Sequence, residues 1–571
     1  MRTPLRFHLP QRLTLLAASL SLIGACSILP LAVDTSAIAP QLHGFGDTTL
    51  VPSQGNEAAR RLFAQGMAQA YGFNRPEAVR AFKAALARDP DCAMCAWGVA
   101  VQLGPNINNP SRGDLAEASR YADYALKHSR GASARDLALI ESLAVRYGRS
   151  EAGKRLALPY EGICRSPGST SEPADPRDLA YAGYMLQLVE RFPADPDVLV
   201  HYAEAEMVAT RGGWWDDKSG KPYGRIGDLA SRIETALAAN PGHVGLNHYM
   251  IHAVDSAKVA VRAEAAADRL GMLAPKSPHL LHMPSHTYAH LGRYADATRV
   301  NQLAVAADEA MVLELKKQGF KDTMDWRGHN THFQWYASLM EGRGELALAS
   351  ARAAAARSTW KSEPSEYTHS LPMLTLLQLQ RWDDLLKEPM PAGDLGVAAL
   401  LGNMSRGIAM ARTGQLDAAR AALGVVTQKA GELSKKHTGK GRGAKIVRSL
   451  AATAEAQLGA EIAFAGRRTD EALALQEKAV DAAVEVDGAE PPMLASGPRQ
   501  RLGGMQLKAQ RFAAAEQTFR EALALHPASG WALTGLEKAL AGQGRTAEAK
   551  AVLGAIASSW PLADKDARAA L

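Results

Sequence analysis

Cysteine is scarce, with four in 571 residues, which excludes a disulfide-stapled scaffold. Aromatic side chains are few, at 6%, and alanine fills long stretches. Strands favour branched and aromatic residues, whereas alanine has the strongest helix propensity, so the chain reads as helical. Charge of one sign is in short supply as well. Lys plus Arg number 65 against 59 Asp plus Glu, a net +6, which is too weak for this size to point to nucleic acid. Beyond the first 26 residues no apolar run approaches a membrane span. A Gly-rich nucleotide fingerprint, a phosphate-binding P-loop, a G-x-S-x-G elbow and an H-E-x-x-H helix are all missing. What is present is 47% apolar and 22% charged, enough for a packed core and too much for global disorder.

Residues 1–26 read as a secretory leader. Arg2, Arg6 and Arg12 precede an apolar stretch from Leu13 to Ala25 that is short for a bilayer helix. It ends in Leu22-Ile23-Gly24-Ala25-Cys26, which resembles the lipobox of bacterial lipoproteins. The resemblance implies lipidation of Cys26, and Ser27 after it implies sorting to the outer membrane. Residues 27–55, rich in Pro, Ser, Thr and Gly, are expected to form a flexible tether. The body is then expected outside the cytoplasm, in an oxidising space, touching membrane only through its lipid.

A repeat sets the expected architecture. Gly66, Ala78, Phe82, Ala85 and Pro90 recur at the same offsets as Gly503, Ala515, Phe519, Ala522 and Pro527, with a looser copy at Leu229, Ile233, Ala236 and Pro241. Small residues let two helices of a hairpin approach, Phe fills the gap between units, and Pro ends the second helix. The pattern resembles the tetratricopeptide (TPR) signature. It implies an all-α solenoid of helical hairpins with a concave groove. Residues 56–345 are assigned to a first solenoid, 346–490 to degenerate repeats and 491–571 to a final TPR pair. Segments 160–176, 211–227 and 434–445 interrupt the period, and 488–498 is expected to act as a hinge.

Histidine is patterned on this repeat. His248 and His252 form H-x3-H, and His282, His286 and His290 form H-x3-H-x3-H. His282 and His286 follow His248 and His252 by 34 residues, the TPR period. Residues four apart share a helix face, and adjacent helices pack about 8–10 Å apart, so these rings can converge. His329 and His332 add H-x2-H 47 residues after His282, which a 13-residue insertion would place on the next first helix. Clustered imidazoles without thiolates suit zinc, copper, nickel or iron. Asp255, Asp325 and Glu206 are candidate carboxylate partners. Pro284 belongs in a first helical turn, so His282 is expected just before a helix and His286 and His290 inside it. Hydrogen-bonded structural histidines remain the alternative to a metal or catalytic site.

The runs NHYMIH, HMPSH and HNTHF, with YGFNRPEAVRAFKAALARDPDCAMCAWGVAVQLGPNIN and GGWWDDKSGKPYG upstream, resemble a family of bacterial TPR proteins over about residues 56–345. The resemblance implies that His248, His252, His282, His286, His329 and His332 matter together, without naming a reaction. Asn74-Arg75 stands where many relatives carry Asn-His, so one further candidate position is lost.

Cys92 and Cys95 stand at a helix start after Asp91. In an oxidising space a structural disulfide is expected, within the pair or to Cys164. Trp214 and Trp215 lie in a Gly-rich loop that either lids the groove or plugs a degenerate repeat. Three functions stay open. The first is a binding scaffold that holds a protein, peptide or small ligand in its groove beside a histidine-rich site. The others are a TPR-fold metalloenzyme and a purely structural assembly lipoprotein.

Overall fold

The computed structural model describes residues 31–108, 115–148, 175–210, 212–216, 218–321, 324–358, 362–392, 396–495 and 497–570. Cys26, Cys164 and the leader lie outside them. The chain is an all-α, TPR-type solenoid of antiparallel hairpins, among them Glu57–Tyr71 with Arg75–Arg88, Arg327–Met340 with Gly344–Arg357, and Phe512–Leu525 following Gly497–Lys508. One turn recurs between first and second helices. A left-handed residue stands at Phe73, Gly292, Gly342, Gln380, Gly414, Arg467, Gln510 and Gly544. The next amide then donates back to a carbonyl five residues earlier, as from Asn74 to Gln69, Arg343 to Ser338 and Arg545 to Leu540. This closes the last helical turn as a Schellman-type cap does.

The repeat signature works by contact. A Cβ on Gly66 or Gly98 would stand 2.6 Å from the Phe82 ring, and one on Gly503 or Gly535 within 2.5 Å of Phe519. Both rings are fully buried, each clamped between first helices of consecutive units. One large core runs from Leu50 to Ala337 and a second from Tyr294 to Ala570. Each half curls back on itself. The Tyr71 carbonyl meets His248, 177 residues on, and the indoles of Trp531 and Trp560 donate to the carbonyls of Leu339 and Met340.

The segment expected as a tether is instead a packed strap from its first described residues. Leu31 and Val33 lean on the first core, and Leu42, Phe45 and Leu50 are buried. Its backbone is held at Gln41 by Gln318, at Gly44 by the Lys276 amide and at Ser53 by Asp136. Low sequence periodicity here reflects an extended path over several helices, each residue finding its own partner.

The strap ends on a buried carboxylate. Asp197 accepts from Thr49 at 2.6 Å, from the Tyr71 hydroxyl, and from His243 Nε2 at 3.2 Å. Burial works against its charge, but the bonds from His243, Thr49 and Tyr71 outweigh that and hold its pKa below the ordinary value. A depressed carboxylate stabilises above its unfolded pKa, about 3.9, and that stability fades as pH falls through the lower folded value. Asp197→Asn should therefore cost about 1–3 kcal/mol at pH 6. The gap to wild type in urea unfolding should narrow at pH 3, and an equal gap at both pH values would contradict this account.

Cys92 and Cys95 are joined by a disulfide. The segment expected as a hinge, 488–498, is pinned, with Met493 and Ala495 buried in the second core.

Candidate metal centre

Two triads of imidazole form where neighbouring first helices meet. In the first, His248 and His252 project from Val244–Ala253, and His279 comes from Pro278–His282. His248 Nε2 lies 3.0 Å from His252 Nε2 and 3.2 Å from His279 Nε2. In the second, His282 Nε2 lies 3.1 Å from Nε2 of His286, on Pro284–His290, and 3.1 Å from Nε2 of His329, on Arg327–Met340. Within each group all three nitrogens lie within 4.8 Å of one another. Nitrogens around one ion at about 2.0–2.1 Å stand about 3.3–3.5 Å apart.

The hydrogen bonds behind the rings decide what faces inward. His248 Nδ1 sits 2.7 Å from the Tyr71 carbonyl, which can only accept, so Nδ1 carries the proton. His282 Nδ1 sits 2.7 Å from Asn301 Oδ1, whose amide nitrogen donates to the Ala297 carbonyl at 2.8 Å. The amide is thereby oriented, and His282 donates from Nδ1. Burial and the neighbouring imidazoles push His248 and His282 well below the usual histidine pKa. Both rings are neutral, with a bare lone pair on Nε2. Each lone pair faces two more ring nitrogens, yet it can accept one N–H only. A cation can be shared by all three.

Burial also carries His279 well below the ordinary value and brings His252 and His329 to about 3. His286 goes the other way. Burial opposes its charge, but Asp255 Oδ2 at 3.1 Å and Glu490 at 3.3 Å from Nδ1 bring it to about 10. Those carboxylates orient the ring through Nδ1 and leave Nε2 directed at His282, a carboxylate–histidine arrangement common behind metal ligands. Asp255 also meets His290 Nε2 at 3.1 Å, so Asp255, His290 and Glu490 form a third, mixed cluster beside the second triad.

Aromatic rings line both triads. Phe73 lies 4.6 Å from His248 and 4.9 Å from His279, and Phe333 lies 4.6 Å from both His282 and His286. Phe73 reaches its position from the left-handed turn residue, φ +53. His248, His279 and His282 are buried, whereas His252, His286 and His329 are half-buried, so each triad keeps partly exposed rings.

The expected set is thus redistributed. His248, His252, His282, His286 and His329 converge, and Asp255 stands behind His286. His332 does not converge. Its Nε2 meets the Tyr367 hydroxyl, and its ring stacks on Trp335. Asp325 is bound to Arg327 at 2.7 Å, and Glu206 pairs with Arg225. His282 ends a short helix, and Met283 continues in helical geometry into Pro284–His290. Trp215 is buried and donates to the Ala253 carbonyl at 2.7 Å, and Trp214 donates to Thr210 at 2.8 Å. Trp215 therefore plugs the loop onto the histidine helix and does not face a groove. Two residues escaped the sequence reading. His279 was readable as a second H-x2-H, with His282. Glu490 has no local signal, because it arrives from a distant segment.

No protein-family model and no curated protein matches the chain. Among solved structures it is similar to the APC/C hetero-tetramer Cut9-Hcn1, at 11% identity and a TM-score of 0.27 over 90% of this chain and 89% of that one. It is also similar to the human IFIT1 dimer with m7Gppp-AAAA, at 12% identity and a TM-score of 0.31 over 89% and 91%.

Proposed function

We propose that the protein is an extracytoplasmic, lipid-anchored TPR scaffold built around a transition-metal site held by the two imidazole triads. The observation that carries this is the pair of bare Nε2 lone pairs on His248 and His282, each facing two further ring nitrogens. A purely structural role leaves one contact in each triad without a proton to fill it, at a cost of about 1–3 kcal/mol per buried unmet group. A metal ion meets all three converging Nε2 atoms of a triad at once. The lipobox-like leader and the Cys92–Cys95 disulfide support the compartment. Among the described residues no helix is long and apolar enough to cross a membrane.

The test is metal content. Purified mature protein should retain stoichiometric transition metal by mass spectrometry, and His248→Gln combined with His282→Gln should lose it with its helical content intact. Equal metal in both proteins would refute the site. The oxygen behind His282 gives a finer check. Asn301→Leu should weaken metal binding at the second triad about 10–100-fold and leave the first unchanged in competition titrations.

A further inference from the structure

The two triads are neighbours, and their adjacency leads beyond the reading above, on which this step rests. His279 belongs to one and His282 to the other, three residues apart on one helical turn, with ring centroids 6.2 Å apart. Trp326 lies against both groups, 4.5 Å from His279 and 6.0 Å from His329. Each triad offers three imidazoles and no thiolate or carboxylate. The carboxylates of Asp255 and Glu490 stand on the Nδ1 side of His286, behind the ring.

That donor set, together with relative affinity, narrows the metal. A 2-His-1-carboxylate iron site, or an oxygen-rich manganese or magnesium site, needs a carboxylate where the triads present imidazole. Zinc closes a structural site with four protein ligands but also takes three imidazoles with one open position, so affinity decides between it and copper. Copper stands highest among first-row divalent ions in affinity for nitrogen sites, and three imidazoles suit it. With three protein donors each, both ions keep a coordination position free. Two ions about 3.5–4 Å apart can share one ligand.

We propose that the paired triads hold two copper ions as one coupled centre, and that in the reduced state dioxygen is the ligand bridging them. The step balances without an outside reductant. Each copper(I) gives up one electron, two copper–oxygen bonds form, and the oxygen–oxygen double bond becomes a single bond. The resulting dianion sits between two copper(II) ions. No proton enters, and the reverse transfer returns dioxygen.

The experiment loads metal-free mature protein with copper(I) under anaerobic conditions, removes excess, and then admits air. Two coppers per chain, one dioxygen taken up per two coppers, and an oxidised form nearly silent in electron paramagnetic resonance would bear the proposal out. His279→Ala, and independently His329→Gln, should each hold one copper and show the full signal of one isolated copper(II). Having variants in opposite triads keeps the test intact if one of them misfolds. Two coppers with a full-intensity signal and no oxygen uptake would overturn the coupled pair and leave the metal site standing. Zinc displacing copper in equimolar competition would overturn the metal assignment. Copper retention no better than in the His248→Gln, His282→Gln protein would bring down the preceding reading as well.

Discussion

Stripping the protein with a chelator is expected to destabilise it by several kcal/mol. An ion bound only by the folded state adds about 4 kcal/mol when free metal is about a thousand times its dissociation constant. The effect should concentrate in the first core, because both triads are built from helices between Val244 and Met340, and the first is tied back to Tyr71. Thermal unfolding of metal-loaded wild type should therefore show its first-half transition falling by several degrees on chelation. The His248→Gln, His282→Gln protein should unfold alike with and without chelator. If wild type proves equally indifferent, the imidazoles are held by packing alone.

The second large effect lies in the other half. Trp560 and Trp531 are 1% exposed and meet edge to face at 4.8 Å. Their indoles donate to consecutive carbonyls, Met340 at 2.8 Å and Leu339 at 2.9 Å. A Cβ on Gly530 would stand 2.1 Å from the Trp560 ring, so no larger residue there can coexist with it. Trp560→Ala should cost about 3–5 kcal/mol, with the loss seen in the urea transition of the second core. Trp560→Phe, which keeps most of the ring and drops the donor, should cost about 1–3 kcal/mol. Both variants should keep their metal. A change in Trp560→Ala no larger than about 0.5 kcal/mol, typical of surface positions, would show that the C-terminal hairpins do not latch the second ring.

Much of this was legible in one dimension, because the interactions that build a TPR hairpin are local and periodic. Gly66 and Phe82, or Gly503 and Phe519, announce a contact that the structure then shows. The 34-residue recurrence of His248 and His252 as His282 and His286 likewise announces matched roles. The third member of each triad was harder to read. His279 and His282 recur as His329 and His332 with a spacing of 50, so the insertion is 16 residues, not 13. In that register His329 matches His279, and His332 matches His282. The position matching His286 is Tyr336, and Tyr367 supplies a hydroxyl to His332. The series of imidazole clusters stops there because phenols replace the remaining rings. The strap and Glu490 could not be read at all. The partners that hold them lie from 83 to 277 residues away, and an extended segment has no period to betray which helices it crosses.

Under the proposed lipidation of Cys26, the strap also bears on how the body would meet a bilayer. A chain spans at most about 3.6 Å per residue, and Leu31, five residues after Cys26, already leans on the first core. A lipid on Cys26 would leave a leash of about 18 Å, too short for the domain to roam. The N-terminal ring would ride against the headgroups with one face always turned down, and only the faces away from the lipid would be open to whatever diffuses past.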